Sequence, residues 1–362
     1  MAGMRLMQAR TGRISKQIFK QPAAFERLIR RESRSKPPSQ SAGARELEGT
    51  FFMNKYGCAL ALLVAGLLTP ARGFSQTGND TVLGRAIVTI FAKHNEVAPN
   101  VAQQYVSVKL NGKDAPVVGW APFKGADDAL ELVLLIEGDA RNLGRQFQEI
   151  QQFVQGLGPN TKVAIGYMEN GRTAMAGPLT DPQSALKGLH LPAGPGSSPY
   201  FSISDLAERW TSLGGQNPHA RREVVLLSDG VDPNNRRFDP DDPYVQSAIH
   251  DAVRAGLVIY SLYWRSRPED AENSMSANGG QSLLDELTQA TGGFSYWSGT
   301  GNPVSFQPFF ADLMRRFASQ YALEFAARPD RKPSIQNLKL KVDALGVQVT
   351  APQQTFVSVA PK

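Results

Sequence analysis

Charged side chains follow two apolar runs of the sequence at the points where each run ends. The first run ends in Glu137, and Asp139 and Arg141 lie just beyond it. The second run is followed by Asp229. Both runs have the composition of buried parallel strands, and ligands of open α/β sheets bind beyond the carboxyl ends of the strands where the strand order reverses. The spacing therefore predicts that these four side chains converge on one binding face.

The elements that must position this face alternate between strands and helices from residue 130 onward. This alternation predicts a doubly wound, Rossmann-like α/β domain with a mainly parallel six-stranded sheet. The pair Asn170-Gly171 predicts a tight turn, so the strand after it should be an antiparallel edge strand. The predicted strands are 130–137, 162–167, 173–175, 223–227, 257–263 and 294–297. The predicted helices are one with an apolar stripe from Leu143 to Leu157, then 182–189, 204–213, 243–255, 282–290 and one near 309–317.

Both ends of the globular part read as β-structure. Residues 85–94 and 104–120 alternate in polarity, and Asn111-Gly112 predicts a β-hairpin. The closing strands are predicted at 320–326, 338–342 and 347–349. Because either set alone has too few strands for independent stability, we expect the two ends to pack together as one small β subdomain.

The N-terminal region differs in charge from the rest of the chain. Residues 1–76 contain 13 Lys and Arg against 4 Asp and Glu, whereas the remainder contains 26 against 29. The mildly acidic body argues against nucleic acid as a partner. From Met53, a short basic start, an apolar run over 58–68 and a small-residue exit near Ser75 are typical of a secretory signal peptide. The run is shorter than the ~20 apolar residues of a membrane span, so we expect a secreted or periplasmic protein without a stable span after cleavage.

The residues before Met53 are predicted to be a non-native or disordered extension, with translation starting at Met53 or at Met1. An organellar transit peptide is the alternative. Cys58, the only cysteine, lies in the leader, so the mature chain should have no disulfide. The predicted organisation is an extension (1–52), a signal peptide (53–75), an N-terminal β segment (78–127), an α/β domain (128–319) and a C-terminal β segment (320–362).

The two strand ends, together with Asn170-Gly171 and the closing Thr291-Gly292-Gly293, resemble the von Willebrand factor type A domain. Further segments are similar to exported proteins related to this domain (VWFA-related) that are abundant in acidobacteria, and the likeness covers roughly residues 80–357. These segments are 198–206, 221–226, 242–246 and 320–323. The resemblance implies an exported, non-enzymatic module for protein binding or adhesion. Its partner would be an unknown protein of the envelope or outside the cell.

Type A domains typically carry a metal-ion-dependent adhesion site made of Asp-x-Ser-x-Ser, a Thr from a later loop and a final Asp. By this resemblance Glu137 stands for the first Asp, and Asp139 and Arg141 stand for the two Ser. Asp229 matches the final Asp. The nearest candidates for the Thr are Ser197 and Ser198.

The residue at the second serine position decides against a metal. Arg141 is a permanent cation without a lone pair, so it cannot be a ligand and would repel a divalent ion. We therefore expect a degenerate, metal-free site, in which Arg141 forms an ion-pair cluster with Glu137, Asp139 and Asp229. In that arrangement Arg141→Ser should destabilise the fold. The alternative is Mg²⁺ or Ca²⁺ held by the three carboxylates.

Two further patterns give weaker signals. The acidic stretch from Asp232 to Asp242 could hold Ca²⁺, but a solvated turn with Asp242 capping the next helix fits its spacing better. No nucleophile elbow, phosphate loop or dinucleotide fingerprint occurs, and the four histidines have no metal-ligand spacing. They are His94, His190, His219 and His250. We therefore expect no enzymatic activity and no cofactor, with an envelope hydrolase whose site the sequence does not reveal as the alternative.

Overall fold

The computed structural model describes residues 81–92, 100–196, 198–235, 237–266, 274–330 and 332–359. The predicted extension, the signal peptide with Cys58, and the residues His94 and Ser197 lie outside the described residues. The described part is a mixed α/β structure with three sheets and six α-helices. None of its helices is long and apolar enough to cross a membrane.

The bounds of the helices and strands follow the chain. The strands are β1 (Val82–Ala92), β2 (Val106–Leu110), β3 (Lys113–Ala115), β4 (Val117–Pro122), β5 (Leu130–Glu137), β6 (Thr161–Glu169), β7 (Arg172–Met175), β8 (Arg221–Ser228), β9 (Leu257–Tyr263), β10 (Phe294–Tyr296), β11 (Gln320–Ala327), β12 (Ser334–Val342), β13 (Val347–Thr350) and β14 (Gln354–Val357). The helices are α1 (Arg145–Gln155), α2 (Pro182–Ala185), α3 (Pro199–Arg209), α4 (Pro243–Ala255), α5 (Ser274–Thr291) and α6 (Gln307–Phe317).

The central sheet has the strand order β10-β9-β8-β5-β6-β7. Five of its strands run parallel, and β7 lies antiparallel at the edge. Asn170 and Gly171 between β6 and β7 both have positive φ, which is the geometry of a tight primed hairpin turn. Every residue of β5 is buried, because helices cover both faces of the sheet.

Alternate residues of the central strands pack into two separate apolar layers. Leu132, Leu134 and Ile136 of β5 pack with the buried faces of α1 and α6. Val133 and Leu135 face the opposite layer, which α3, α4 and α5 cover. Because β5 and β8 are neighbouring parallel strands, their carboxyl ends lie side by side at one edge of the sheet, where the candidate site lies.

The terminal strands form two antiparallel four-stranded sheets, an arrangement that the sequence did not predict, with orders β13-β1-β11-β4 and β14-β12-β2-β3. One apolar cluster joins the two sheets, with Val88 and Ile90 of β1 and Val108 of β2 among its members. The strand β14 was not predicted, and β12 begins four residues earlier than expected, at Ser334.

Two helices begin earlier than predicted. Helix α3 begins at Pro199 because the Ser198 hydroxyl caps its first turn, accepting from the Phe201 amide at 3.5 Å, with proline at the favoured first position. Helix α5 begins at Ser274 rather than at residue 282, and it continues through Gly279-Gly280. Of these two glycines, Gly280 allows a close contact at the candidate site.

Candidate functional site at the carboxyl ends of β5 and β8

Two carboxylates meet where neighbouring parallel strands end. Glu137 is the last residue of β5, and Asp229 directly follows the last residue of β8. The Asp229 amide donates to Glu137 Oε2 at 3.3 Å. Glu137 is 4% exposed and Asp229 is 6% exposed. The structure thus brings together the two acidic groups that the sequence placed on different strands, and it buries both.

The turn after β5 is fixed by its backbone. The Gly138 amide donates to the Met168 carbonyl at 3.1 Å, and the Ala140 amide donates to the Glu137 carbonyl at 3.1 Å. A Cβ at Gly138 would lie 2.4 Å from the Met168 oxygen, so only glycine fits this approach. Asp139 follows in a half-buried position. The turn therefore holds Asp139 near enough to Glu137 for its charge to raise the pKa of Glu137.

The turn after β8 is held by its own hydrogen bonds and by contacts with α3 and α5. The Val231 amide donates to Asp229 Oδ1 at 2.9 Å, and the Tyr200 hydroxyl of α3 donates to the Gly230 carbonyl at 2.9 Å. A Cβ at Gly280 would lie 2.1 Å from the Asp229 carbonyl oxygen. Glycine is thus required in α5 so that the helix can pack directly against the turn that carries Asp229.

The environment of Glu137 favours its neutral form. Burial raises the pKa of Glu137 well above its usual value of 4.5, and the charges of Asp229 and Asp139 raise this pKa further. Hydrogen bonds from the Asp229 amide and the Ser228 side chain lower the pKa, but by less than burial raises it. The Glu137 carboxyl therefore keeps its proton to a higher pH than an exposed glutamate does.

Arg141 does not occupy the position that the ion-pair hypothesis gave it. Its side chain is exposed, and Nη2 donates to the carbonyls of Ala193 at 2.9 Å and Gly194 at 3.3 Å. Among the described residues, no ion pair joins Arg141 to Glu137 or to another carboxylate. The prediction that Arg141 neutralises the cluster is therefore wrong, because the turn after β5 directs this side chain toward the loop before α3.

Because Arg141 is exposed and forms no ion pair with the described carboxylates, we expect its replacement to change the stability of the fold only slightly. Arg141→Ser should change the free energy of unfolding by no more than about 1 kcal/mol, since an exposed guanidinium on carbonyl oxygens exchanges readily with water. Urea unfolding of the variant and the original protein at pH 7 measures this difference. A loss of several kcal/mol would restore the buried-cluster hypothesis.

Ser198 also has a different role from the one that the resemblance suggests. It is buried, and its hydroxyl is the cap of α3 described above. Its neighbour Ser197 lies outside the described residues, so the structure does not test it. Within the described ranges no group of three or more His, Cys, Asp or Glu side chains is arranged to hold a metal ion.

The acidic stretch after β8 is organised by hydrogen bonds of its own turn. Asp232 accepts from the Asn234 amide at 2.8 Å, and Asp239 accepts from the Asp241 amide at 3.0 Å. Asp242 accepts from the Tyr244 amide at 2.9 Å and so caps α4, as predicted. Asp232 is buried, however, so the stretch is only partly the solvated turn that we expected.

Sequence reasoning missed an aromatic pair beside this face. Phe201 in the first turn of α3 and Tyr244 in the first turn of α4 are 37% and 52% exposed, and their ring centroids are 4.7 Å apart. Both helices begin with a capping residue, a proline and a tyrosine: Ser198-Pro199-Tyr200 and Asp242-Pro243-Tyr244. This shared start was the available signal, because parallel helices of this fold begin at the end of the sheet where the strands finish.

Comparisons with known proteins give fold-level likenesses only. No family model and no curated protein matches the sequence. An aerotolerance-related membrane protein from Bacteroides fragilis is 12% identical, with a TM-score of 0.36, over 52% of this chain and 98% of that one. The conserved hypothetical protein BatB from Bacteroides thetaiotaomicron is 14% identical, with a TM-score of 0.35, over 52% and 99%. Proximal thread matrix protein 1 of the mussel byssus, with zinc in its MIDAS motif, is 12% identical, with a TM-score of 0.36, over 56% and 48%.

Proposed function

We propose that this chain is an exported, non-enzymatic protein-binding module of the von Willebrand factor type A kind, of the VWFA-related type. It binds a protein of the envelope or outside the cell through the surface around the exposed pair Phe201 and Tyr244, at the end of the sheet where the parallel strands finish, which we call the strand-end face. Binding there requires no divalent cation. The signal-peptide pattern between Met53 and Ser75 supports export.

The observation that carries the proposal is the exposed aromatic pair next to the buried carboxylates. Large aromatic side chains are enriched among residues that dominate protein–protein binding energy. Phe201 and Tyr244 project from the first turns of two helices that a proline and a capping side chain fix in place. A rigid aromatic anchor loses little conformational entropy on binding, which favours its use in recognition.

Three features of the residues at the metal-ligand positions of the adhesion site support binding without a metal ion. The two positions that carry hydroxyl ligands in the adhesion site are Asp139 and Arg141, and the Arg141 side chain leaves the site. Asp229 Oδ1 and Glu137 Oε2 already accept backbone hydrogen bonds. The raised pKa of Glu137 favours its protonated form, and a proton reduces the repulsion between the two carboxylates.

A photo-crosslinking experiment in the native host tests the proposal. A photoreactive phenylalanine analogue at position 244 should capture a protein of the envelope or exterior. The affinity of that protein for the purified chain should fall by about tenfold or more in a Phe201→Ser, Tyr244→Ser double variant, since loss of each anchor typically costs at least 1 kcal/mol. Affinity should be equal in Mg²⁺ and in EDTA.

The matched control is Leu345→Ser, because Leu345 is 98% exposed in the turn between β12 and β13, away from the strand-end face. This variant should bind as the original protein does. Unchanged affinity in the double variant would refute the role of the aromatic pair, and loss of binding in EDTA would refute the metal-free mode.

A further inference from the structure

A cavity of about 330 Å³ lies at the opposite end of the central sheet from the strand-end face. It opens between the amino ends of β8 and β9, the end of α4, and the terminal strands β1 and β14. Its volume is within the range of small-molecule sites. Three arginines, Arg85, Arg222 and Arg254, line it together with apolar side chains, and no carboxylate is among its described lining residues. The apolar wall includes Ile87, Val253, Leu257, Val258 and Phe356.

Arg85 is a cation held by neutral acceptors. Its two terminal nitrogens donate to the carbonyls of Pro218 and His219, the latter at 2.7 Å. Its Nε is buried without a hydrogen-bond partner. In the described part of the chain Arg85 forms no ion pair, so its charge has no carboxylate in contact. A partly buried cation in this state is stabilised by any anion that can reach it.

Arg222 places a second guanidinium on the same cavity. It donates to the carbonyls of Ala255 at 3.2 Å and Gly215 at 3.3 Å. Glu131 is 3.9 Å away and also accepts from the Trp210 indole at 3.0 Å, so it neutralises Arg222 only in part. Burial lowers the pKa of Arg85, and the charge of Glu324 raises it. The charge of Arg222 also lowers this pKa, as expected for two cations that line the same cavity.

Arg254 completes the cationic rim from the last turn of α4. Its side chain pairs with Asp251 at 2.8 Å and lies 5.8 Å from the ring centre of Phe356. Because Arg254 is already paired and exposed, it contributes less than Arg85 and Arg222 to any attraction for an anion. The apolar wall lies beneath these cations. The cavity thus combines positive charge that carboxylates neutralise only in part with a hydrophobic interior.

We propose that this cavity binds a small amphipathic anion, with its acidic head group on Arg85 and Arg222 and its apolar body against Ile87, Val258 and Phe356. The site is separate from the strand-end face and independent of the proposed protein binding. A carboxylate head can accept two parallel hydrogen bonds from a guanidinium. The apolar wall favours an organic acid over a compact inorganic anion, because only the former covers this wall.

Calorimetric titration of the purified protein with three probes of equal chain length tests the proposal. Octanoate should bind about tenfold or more tightly than octanol, and octyltrimethylammonium should bind more weakly than either. Chemical-shift changes on octanoate binding should be confined to residues around the cavity. Equal binding of octanoate and octanol would overturn the proposal, because the arginines would then contribute nothing. Shifts that map elsewhere would overturn it as well.

Variants separate the role of charge from the role of shape. Arg85→Gln with Arg222→Gln should lower octanoate affinity by about tenfold or more and leave octanol binding unchanged. Arg145→Gln on the exposed face of α1 is the matched control and should change neither. Ala255→Phe, which fills the cavity and keeps the arginines, should weaken binding of both octanoate and octanol. Unaltered octanoate binding in the filled variant would place the ligand outside this cavity.

Discussion

Replacing Glu223 by Gln is expected to raise the free energy of unfolding by about 3 kcal/mol above about pH 8 and to change it little near pH 4. Glu223 lies in β8, is fully buried, and neither carboxylate oxygen accepts a hydrogen bond of normal geometry. Burial raises the pKa of Glu223 from 4.5 to about 7, although the nearby Arg221 charge lowers it. The folded protein therefore favours the neutral acid.

The sign of the pH dependence follows from this shift. Below pH 4.5 Glu223 is protonated in both the folded and the unfolded chain, and the stabilisation of its neutral form is fully present. As the pH rises toward 7 the unfolded chain ionises first, so stability falls. Glutamine has the same shape and stays neutral, so the variant should not show this loss.

Urea unfolding of the original protein and of Glu223→Gln across pH 4 to 9 measures the effect. Glu137, whose pKa is also raised, contributes to the slope of both proteins and cancels in the difference. Glu208→Gln on the exposed surface of α3 is the matched control and should follow the original curve. Parallel curves for Glu223→Gln and the original protein would contradict the prediction.

The elements that sequence predicted with correct bounds are those whose signals are local. Strand β5 is a continuous apolar run, and its predicted range of 130–137 is the observed one. Helix α4 begins after the Asp242-Pro243 cap and ends before Gly256, which has the left-handed φ of 69°. The bounds of 243–255 were therefore predictable from capping residues alone.

The features that were missed depend on contacts between distant segments. Gly279-Gly280 disfavours a helix locally, yet α5 runs through it because only glycine can pack against the Asp229 backbone. One of the two terminal sheets depends on β1 pairing with both β11 and β13. Neither pairing has a signal within the strand itself, so the sequence predicted β-structure without its arrangement.

The same distinction between local signals and contacts of distant segments applies to the candidate site. The meeting of Glu137 and Asp229 follows from the adjacency of two parallel strands, which the apolar pattern predicts. The direction of Arg141 depends instead on the backbone of a four-residue turn and on the carbonyls of Ala193 and Gly194. Charge type alone suggested an ion pair, whereas the turn geometry places the guanidinium outside the cluster.

Arg221, the first residue of β8, connects the central sheet to the terminal strands beneath it. Its buried guanidinium donates to the Phe317 carbonyl at the end of α6 at 2.8 Å and to Gln320 Oε1 at the start of β11 at 2.5 Å. It also pairs with Asp128, just before β5, and lies 5.0 Å from the ring centre of Phe123. One side chain thus satisfies acceptors on three separate segments.

Arg221→Met should therefore lower the free energy of unfolding by about 3 kcal/mol, because two buried acceptors, the Phe317 carbonyl and Gln320 Oε1, lose their donor at about 1–3 kcal/mol each. Methionine keeps much of the apolar volume but leaves the three acceptors without their donor. Without the Arg221 charge the pKa of Glu223 should rise further, so the loss of stability with rising pH should become steeper in this variant. Urea unfolding at several pH values measures both effects.

A double-mutant cycle with Glu223→Gln shows whether the two buried charges act on each other. In Arg221→Met the carboxylate at position 223 has lost its nearest cation, so adding Glu223→Gln should recover more stability there than it does in the original protein. The difference should vanish near pH 4, where Glu223 is protonated in every variant. Arg172→Met at the exposed start of β7 is the matched control, with an expected change of about 0–1 kcal/mol. Additive effects at pH 8 would show that Arg221 does not compensate Glu223. A loss in Arg221→Met no larger than in the control would show that Arg221 does not hold the terminal strands to the sheet.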